Sequence, residues 1–179
     1  MRNPTKKLIF VRLINNVKKI MIESEKERVY IKTDTVLSSI INGNDALISN
    51  LSNFVAVLKS HFDFFWVGFY LVENDKLILG PFKGPFQGPL ACTEIKFGKG
   101  VCGSAWSRGE TIIVEDVHQF PGHIACSSAT NSEIVLPVID SKGCVVAVLD
   151  IDSTEFSNFD TVDQKYLEKI LKWFASEVY

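Results

Sequence analysis

The sequence predicts an α+β domain. Three observations carry this: helical apolar spacing over residues 25–62, strand-length apolar runs between residues 64 and 152, and a C-terminal amphipathic stripe. Helices come first, then an antiparallel hairpin, loops with a short helix, two more strands and a last helix.

In the first segment Val36, Ile40 and Ile41 fall on one helix that Gly43 ends. Ala46, Leu47, Leu51, Phe54, Val55 and Leu58 fall on a second, with Asn44-Asp45 as its N-cap. The aromatic and β-branched run from Phe64 to Val72 predicts a strand, turned at Asn74-Asp75 into a partner over Lys76 to Leu79. Strand alternation puts Trp66, Gly68 and Tyr70 on one face, as core packing or as an aromatic box with a vacant slot over the glycine.

Residues 80–89 are Gly/Pro-rich and are expected to hold no regular element, making a lid or binding loop. Cys92 is expected to open a strand through Ile95, and Gly98 to Trp106 to turn into a short helix that resembles a phosphate cradle only loosely. Thr111 to Val114 is a strand, and Asp116 and His118 open a loop. Glu133 to Val138 and Cys144 to Asp152 form two strands about a turn at 140–143, with Val146, Val148, Asp150 and Asp152 on one side. Those acids form either a solvated strand end or a paired site. Ser157-x-x-Asp160 resembles a capping box, and Leu167, Ile170, Leu171, Phe174 and Val178 form a stripe that closes one face of the sheet.

With 179 residues and 46% hydrophobic content the chain fits one domain, and a net charge of −2 gives no reason to expect nucleic acid or an anionic membrane as partner. The apolar runs are too short to span a bilayer. Residues 1–22 are basic and lack acids, readable as an organelle presequence, as sequence upstream of a start at Met21, or as a basic amphipathic helix. Residues 23–179 form the globular domain. Four cysteines without an export signal predict a reducing, cytoplasmic setting and thiol chemistry. No CxxC pair is present, so zinc is a weak reading that His123-x-x-Cys126 alone sustains.

The strongest candidate for chemistry is Phe120 to Ala129, where Cys126 follows a Pro-Gly turn and His123. A thiol near its ordinary pKa of about 8.5 is only a few per cent ionised at neutral pH, so an electropositive neighbour would help, and His123 is the nearest.

The segments FWVGFYL, GPFQGPLACTEIKFGKGVCG, DVHQFPGHIACSSATNSEIVLPV and VLDIDS, followed by FSNFDTVDQ, occur in this order. In these blocks the chain resembles the GAF-domain free methionine-(R)-sulfoxide reductases, from about residue 25 to the C-terminus. The resemblance implies a GAF-like fold, with N-terminal and C-terminal helices packed on a central antiparallel sheet. It also implies Cys126 as nucleophile, Cys92 as principal resolving cysteine and Cys102 as a further recycling partner. Trp66 and Tyr70 would surround the methylthio end of the substrate. Glu133, Asp150 and Asp152 would be the pocket carboxylates, with Glu133 and Asp152 among the catalytic groups. The implied reaction is reduction of free methionine-(R)-sulfoxide through a cysteine sulfenic acid and an intramolecular disulfide. The resemblance further implies no bound cofactor and thioredoxin or a similar dithiol as electron donor, and the family tends to form homodimers, although no stripe in the sequence marks an interface. Chemically, acids that hold the ammonium of a free amino acid would favour it over a peptide-bound residue. A small-ligand GAF sensor, a redox switch using the same cysteines and a zinc-stabilised domain are the competing readings.

Overall fold

The computed structural model describes residues 25–85 and 91–179. The expected basic extension over 1–22 and part of the Gly/Pro loop lie outside the described residues. Strand β1 (Trp66–Glu73), β2 (Lys76–Lys83), β3 (Glu94–Lys96), β4 (Ile112–Val114), β5 (Ser132–Ile139) and β6 (Val145–Ser153) form one sheet in the order β3-β2-β1-β6-β5-β4. Every neighbouring pair is antiparallel. Helix α1 (25–40), α2 (Leu47–His61) and α4 (Thr161–Val178) contribute to the core against one face, and α3 (Gly100–Arg108) against the other.

Alternation divides the strands between two cores. Val67, Phe69, Ile134, Leu136, Leu149 and Ile151 pack with Leu51, Phe54 and the α4 stripe Leu167, Ile170, Leu171 and Phe174. Trp66, Tyr70, Val135 and Val148 pack on the opposite face with Val101, Cys102 and Ala105 of α3. The three-helix side thus supplies a thick apolar backing, while the single short helix leaves room at its edge for a cleft.

Several local expectations are corrected. Strand β2 runs through Gly80-Pro81 to Lys83, because a bulge absorbs the proline: between Gly68↔Phe82 and Tyr70↔Leu79, β2 carries an extra residue. Cys92 precedes β3, and β6 starts at Val145, one residue past Cys144. A second bulge pairs Val138 with Ala147 and Ile139 with Val145, which sends Val146 to the three-helix core, away from Val148, Asp150 and Asp152. Helix α1 ends at residue 40, before Gly43, and the N-cap of α2 is Ala46 without a side-chain bond.

The capping box lies three residues later than expected, since Ser157 occupies a left-handed turn (φ 52°). Asp160 accepts from the Val162 and Asp163 amides, and Asp163 accepts from the Asp160 amide at 2.8 Å. The same buried Asp163 accepts from Tyr30 Oη at 2.7 Å and pairs with Lys26 at 2.5 Å, tying α1 to the start of α4. No described helix is long and apolar enough to cross a membrane.

Gly103 lets α3 sit directly on the turn after β3. A Cβ there would lie 2.5 Å from the Lys96 carbonyl oxygen and 3.2 Å from the Gly98 nitrogen, both backbone atoms that cannot rotate away. Gly103→Ala is expected to cost about 2 kcal/mol by overpacking. In thermal unfolding that corresponds to a drop of roughly 4–8 °C for a domain of this size; an unchanged midpoint would show that the turn gives way freely.

Candidate active site

The cross-strand register gathers the acids. Glu133 on β5 lies opposite Asp152 on β6, and Asp150 lies opposite Val135. On the other side of β6, Asp152 faces Trp66 and Asp150 faces Gly68. Directly paired residues share a face, so two aromatic rings, a glycine and three carboxyls lie on the α3 side of the sheet.

The slot over Gly68 is filled. A Cβ at that position would run into the edge of the Trp66 indole and the Phe82 Cβ. Trp66 stacks with Phe82 at 5.5 Å and with Tyr70 at 6.1 Å, and its Nε1 is buried without a hydrogen-bond partner among the described residues. The glycine therefore makes space for the tryptophan of its own strand. Trp66 and Tyr70 are buried beside the acids and are not among the residues lining the cleft.

That cleft is lined by Cys102, His123, Ile124, Cys126, Thr130, Glu133, Asp150 and Asp152, together with Ile95, Gly100, Val101 and Ser127. Its volume is about 30 Å³, room for roughly one water molecule. Cys126 is joined to Cys92 in a disulfide, with Cα atoms 5.3 Å apart. Cys102 and Cys144 are free thiols, the first buried in α3 and the second exposed near the start of β6. Pairing of Cys126 with Cys92 leaves His123-x-x-Cys126 no free thiolate for zinc.

The acids are not a solvated strand end: Glu133 is 6% exposed and Asp150 7%. Burial pushes Asp150 up to about 6, moderated by Cys102, Glu133 and the Ile151 amide. Burial and the charge of Asp150 hold Glu133 and Asp152 well above the carboxylate range, the latter moderated by Thr130. Burial thus opposes charge on all three acids, and the charge of Asp150 further opposes ionisation of Glu133 and Asp152. Burial, then Asp150 and Glu133, push the Cys102 thiol well up, and its Sγ donates toward Glu133 Oε1 at 3.9 Å.

His123 Nε2 stands 4.0 Å from Glu133 Oε2, and burial and His118 lower its pKa from the ordinary value. The neutral imidazole borders the cleft and supplies no positive charge. Thr130 and Phe82 escaped sequence reading. Thr130 was one of several small polar residues after Cys126, and Phe82 lay in a stretch assigned to loop.

The sheet and its thiol–carboxyl cleft define a GAF domain with a redox-capable site. The GAF domain family model matches residues 46–172. GAF domain-containing protein A of Dictyostelium discoideum is 49% identical over 84% of this chain and 92% of its own length. Free methionine-R-sulfoxide reductase of Escherichia coli K12 is 42% identical over 84% of this chain and 97% of its own. The crystal structure of free methionine-R-sulfoxide reductase from Neisseria meningitidis in complex with its substrate is 44% identical. It matches with a TM-score of 0.74 over 86% of this chain and 87% of that one. The chain belongs to the GAF-domain free methionine-(R)-sulfoxide reductase family and is an oxidoreductase of that class.

Proposed function

We propose that this enzyme reduces free methionine-(R)-sulfoxide to methionine, with residues 23–179 as the catalytic domain. The observation that carries the proposal is the Cys92–Cys126 bridge beside a cleft with three buried or partly buried carboxyls.

In the reduced enzyme the Cys126 thiolate attacks the sulfoxide sulfur. The S–O bond breaks, its electron pair leaves on oxygen, and a proton from Glu133 or Asp152 accompanies it. The attack leaves an S–S bond between Cys126 and the methionine sulfur. The released hydroxide attacks the Cys126 sulfur, and that bond breaks with its electron pair on the methionine sulfur. Methionine departs, leaving Cys126 as a sulfenic acid. Cys92 then attacks the sulfenic sulfur, forming the disulfide and releasing water. An external dithiol of the thioredoxin type breaks that bond by exchange and leaves as its own disulfide. Cys102 is a second thiol available for recycling.

Asp150, the acid that keeps its charge at neutral pH, holds the substrate ammonium, a group that a peptide-bound residue lacks. Trp66 and Tyr70 do not line the cleft of the bridged form, and their role as apolar wall for the methylthio end requires the cleft to widen toward them in the reduced enzyme. The R configuration is carried by the family. The bridged form has a cleft of only about 30 Å³, and attack needs the free Cys126 thiolate, so productive binding follows reduction of the bridge. The scheme uses no bound cofactor, and the proposed setting is a reducing cytoplasmic one. A homodimer, the family's habit, is read directly by sedimentation.

The test supplies racemic free methionine sulfoxide with a dithiol and follows both epimers by chiral chromatography. Consumption of the R epimer alone is expected; consumption of neither ends the proposal. Cys92→Ser separates the two thiol roles. Methionine release in a single turnover should stay within about threefold of wild type, while thioredoxin-coupled turnover falls at least about 100-fold. Equal loss in both assays would remove Cys92 from the resolving role.

A further inference from the structure

The groups that the reduction scheme uses for proton delivery, ammonium binding and recycling also stand as a set of metal-ligand type, and the inference rests on that reading of the cleft. Cys102 from α3, Glu133 from β5 and Asp150 from β6 each offer one ligand atom, and these atoms lie within 4.8 Å of one another. Cys102 Sγ is 3.9 Å from Glu133 Oε1, and His123 Nε2 is 4.0 Å from Glu133 Oε2 on the cleft side. An independent feature points to a cation here: Asp150 Oδ1 is buried, has no hydrogen-bond partner among the described residues and belongs to a side chain lining the cleft. A buried carboxylate oxygen without a donor is a rarity that a bound cation would resolve.

We propose that Cys102, Glu133 and Asp150 bind one soft divalent cation of the zinc or cadmium type, and that its occupancy excludes substrate.

The geometry is close to what such an ion needs. Zinc bonds of about 2.0–2.3 Å in a tetrahedron set ligand atoms roughly 3.3–3.8 Å apart, so the separations shrink by no more than about 1.5 Å. The ligand chemistry selects the metal, because a thiolate favours zinc-like ions. Magnesium and calcium want at least about six oxygen ligands, which this cleft lacks. With a volume of about 30 Å³ the cleft takes one ion and leaves no space for an amino acid beside it. Binding displaces the Cys102 proton, which passes to buffer. The ion blocks turnover by occupying the ammonium site and immobilising the acids that deliver the proton.

The site uses neither Cys92 nor Cys126, so it can be tested apart from the reductase proposal, in the full chain with that bridge intact. Cys144→Ser removes the exposed competing thiol. Titration of this variant with Cd²⁺ should give one equivalent of a cadmium–thiolate ultraviolet band, reversed by Zn²⁺ and untouched by excess Mg²⁺. Asp150→Asn and Glu133→Gln, each confirmed as folded by near-ultraviolet circular dichroism, should weaken the band's titration at least about tenfold while Cys102 remains. If one fails to fold, the other decides. No band, or a band that both substitutions leave unchanged, overturns the proposal.

Discussion

Cys126→Ser is expected to lower turnover of free methionine-(R)-sulfoxide by at least about 10³-fold, the scale on which loss of a nucleophile acts. A serine hydroxyl at this position is neither ionised at neutral pH nor able to cycle through a sulfenic acid and a disulfide, so both halves of the reaction are lost together. Excess dithiothreitol should give no rescue. This separates Cys126→Ser from Cys92→Ser, in which external thiol can take over the resolving step. The substitution also removes the bridge, whose cross-link over 34 residues is worth about 3–4 kcal/mol against unfolding. The proper reference is therefore the reduced wild-type enzyme, which lacks that cross-link as well. Residual activity within tenfold of that reference would place the attacking sulfur elsewhere, with Cys102 next to be replaced.

Asp150→Asn is expected to slow catalysis and stabilise the fold at the same time. Its kcat/KM should fall at least about 100-fold, mostly through KM, because a charged contact to the ammonium becomes a neutral one. Stability should move the other way. The folded pKa of Asp150 is raised from 3.8 to about 6 by burial. Below about pH 4 the group is protonated whether folded or not, and it adds no penalty. As pH rises through 6 the folded protein must carry a buried charge, so stability is lost across that window and stays lost above it. Glu133 and Asp152, shifted up further by burial and by the Asp150 charge, extend the decline to higher pH. Removing that charge should return on the order of 2–3 kcal/mol at pH 8 and almost nothing at pH 4. In chelator-treated protein, a midpoint raised by roughly 5–10 °C at pH 8 is the expected readout. A lower midpoint than wild type at pH 8 would mean that Asp150 is held by structure rather than strained for function.

Much of the fold was legible because its signals are local. The run from Phe64 to Val72, the Asn74-Asp75 turn and the α4 stripe each specify an element through neighbouring residues, and all three were found close to their expected places. Errors gathered where a long-range contact overrides local preference. Gly80-Pro81 is punctuation in most contexts, but pairing with β1 carries the strand through it as a bulge. Ser157 has the composition of a cap, yet the turn it occupies passes that role to Asp160. Val146 follows the alternation of β6 in sequence and leaves it in space because of the bulge opposite Val138 and Ile139.

The sequence by itself determined the candidate chemistry of this protein: a cysteine after a Pro-Gly turn, two more cysteines upstream, and acids spaced two apart on a strand. Those are properties of residue type and of the two-residue strand period, which need no partner to be read. Only the tertiary structure decided their state. It bonded Cys126 to Cys92, withdrew Cys102 beneath Glu133, folded Trp66 over Gly68 and neutralised His123. Ionisation and access depend on burial and on charges brought from strands far apart in the chain. A spacing rule carries neither quantity, whereas the packing of α3 and the Cys126 loop against one face of the sheet sets both.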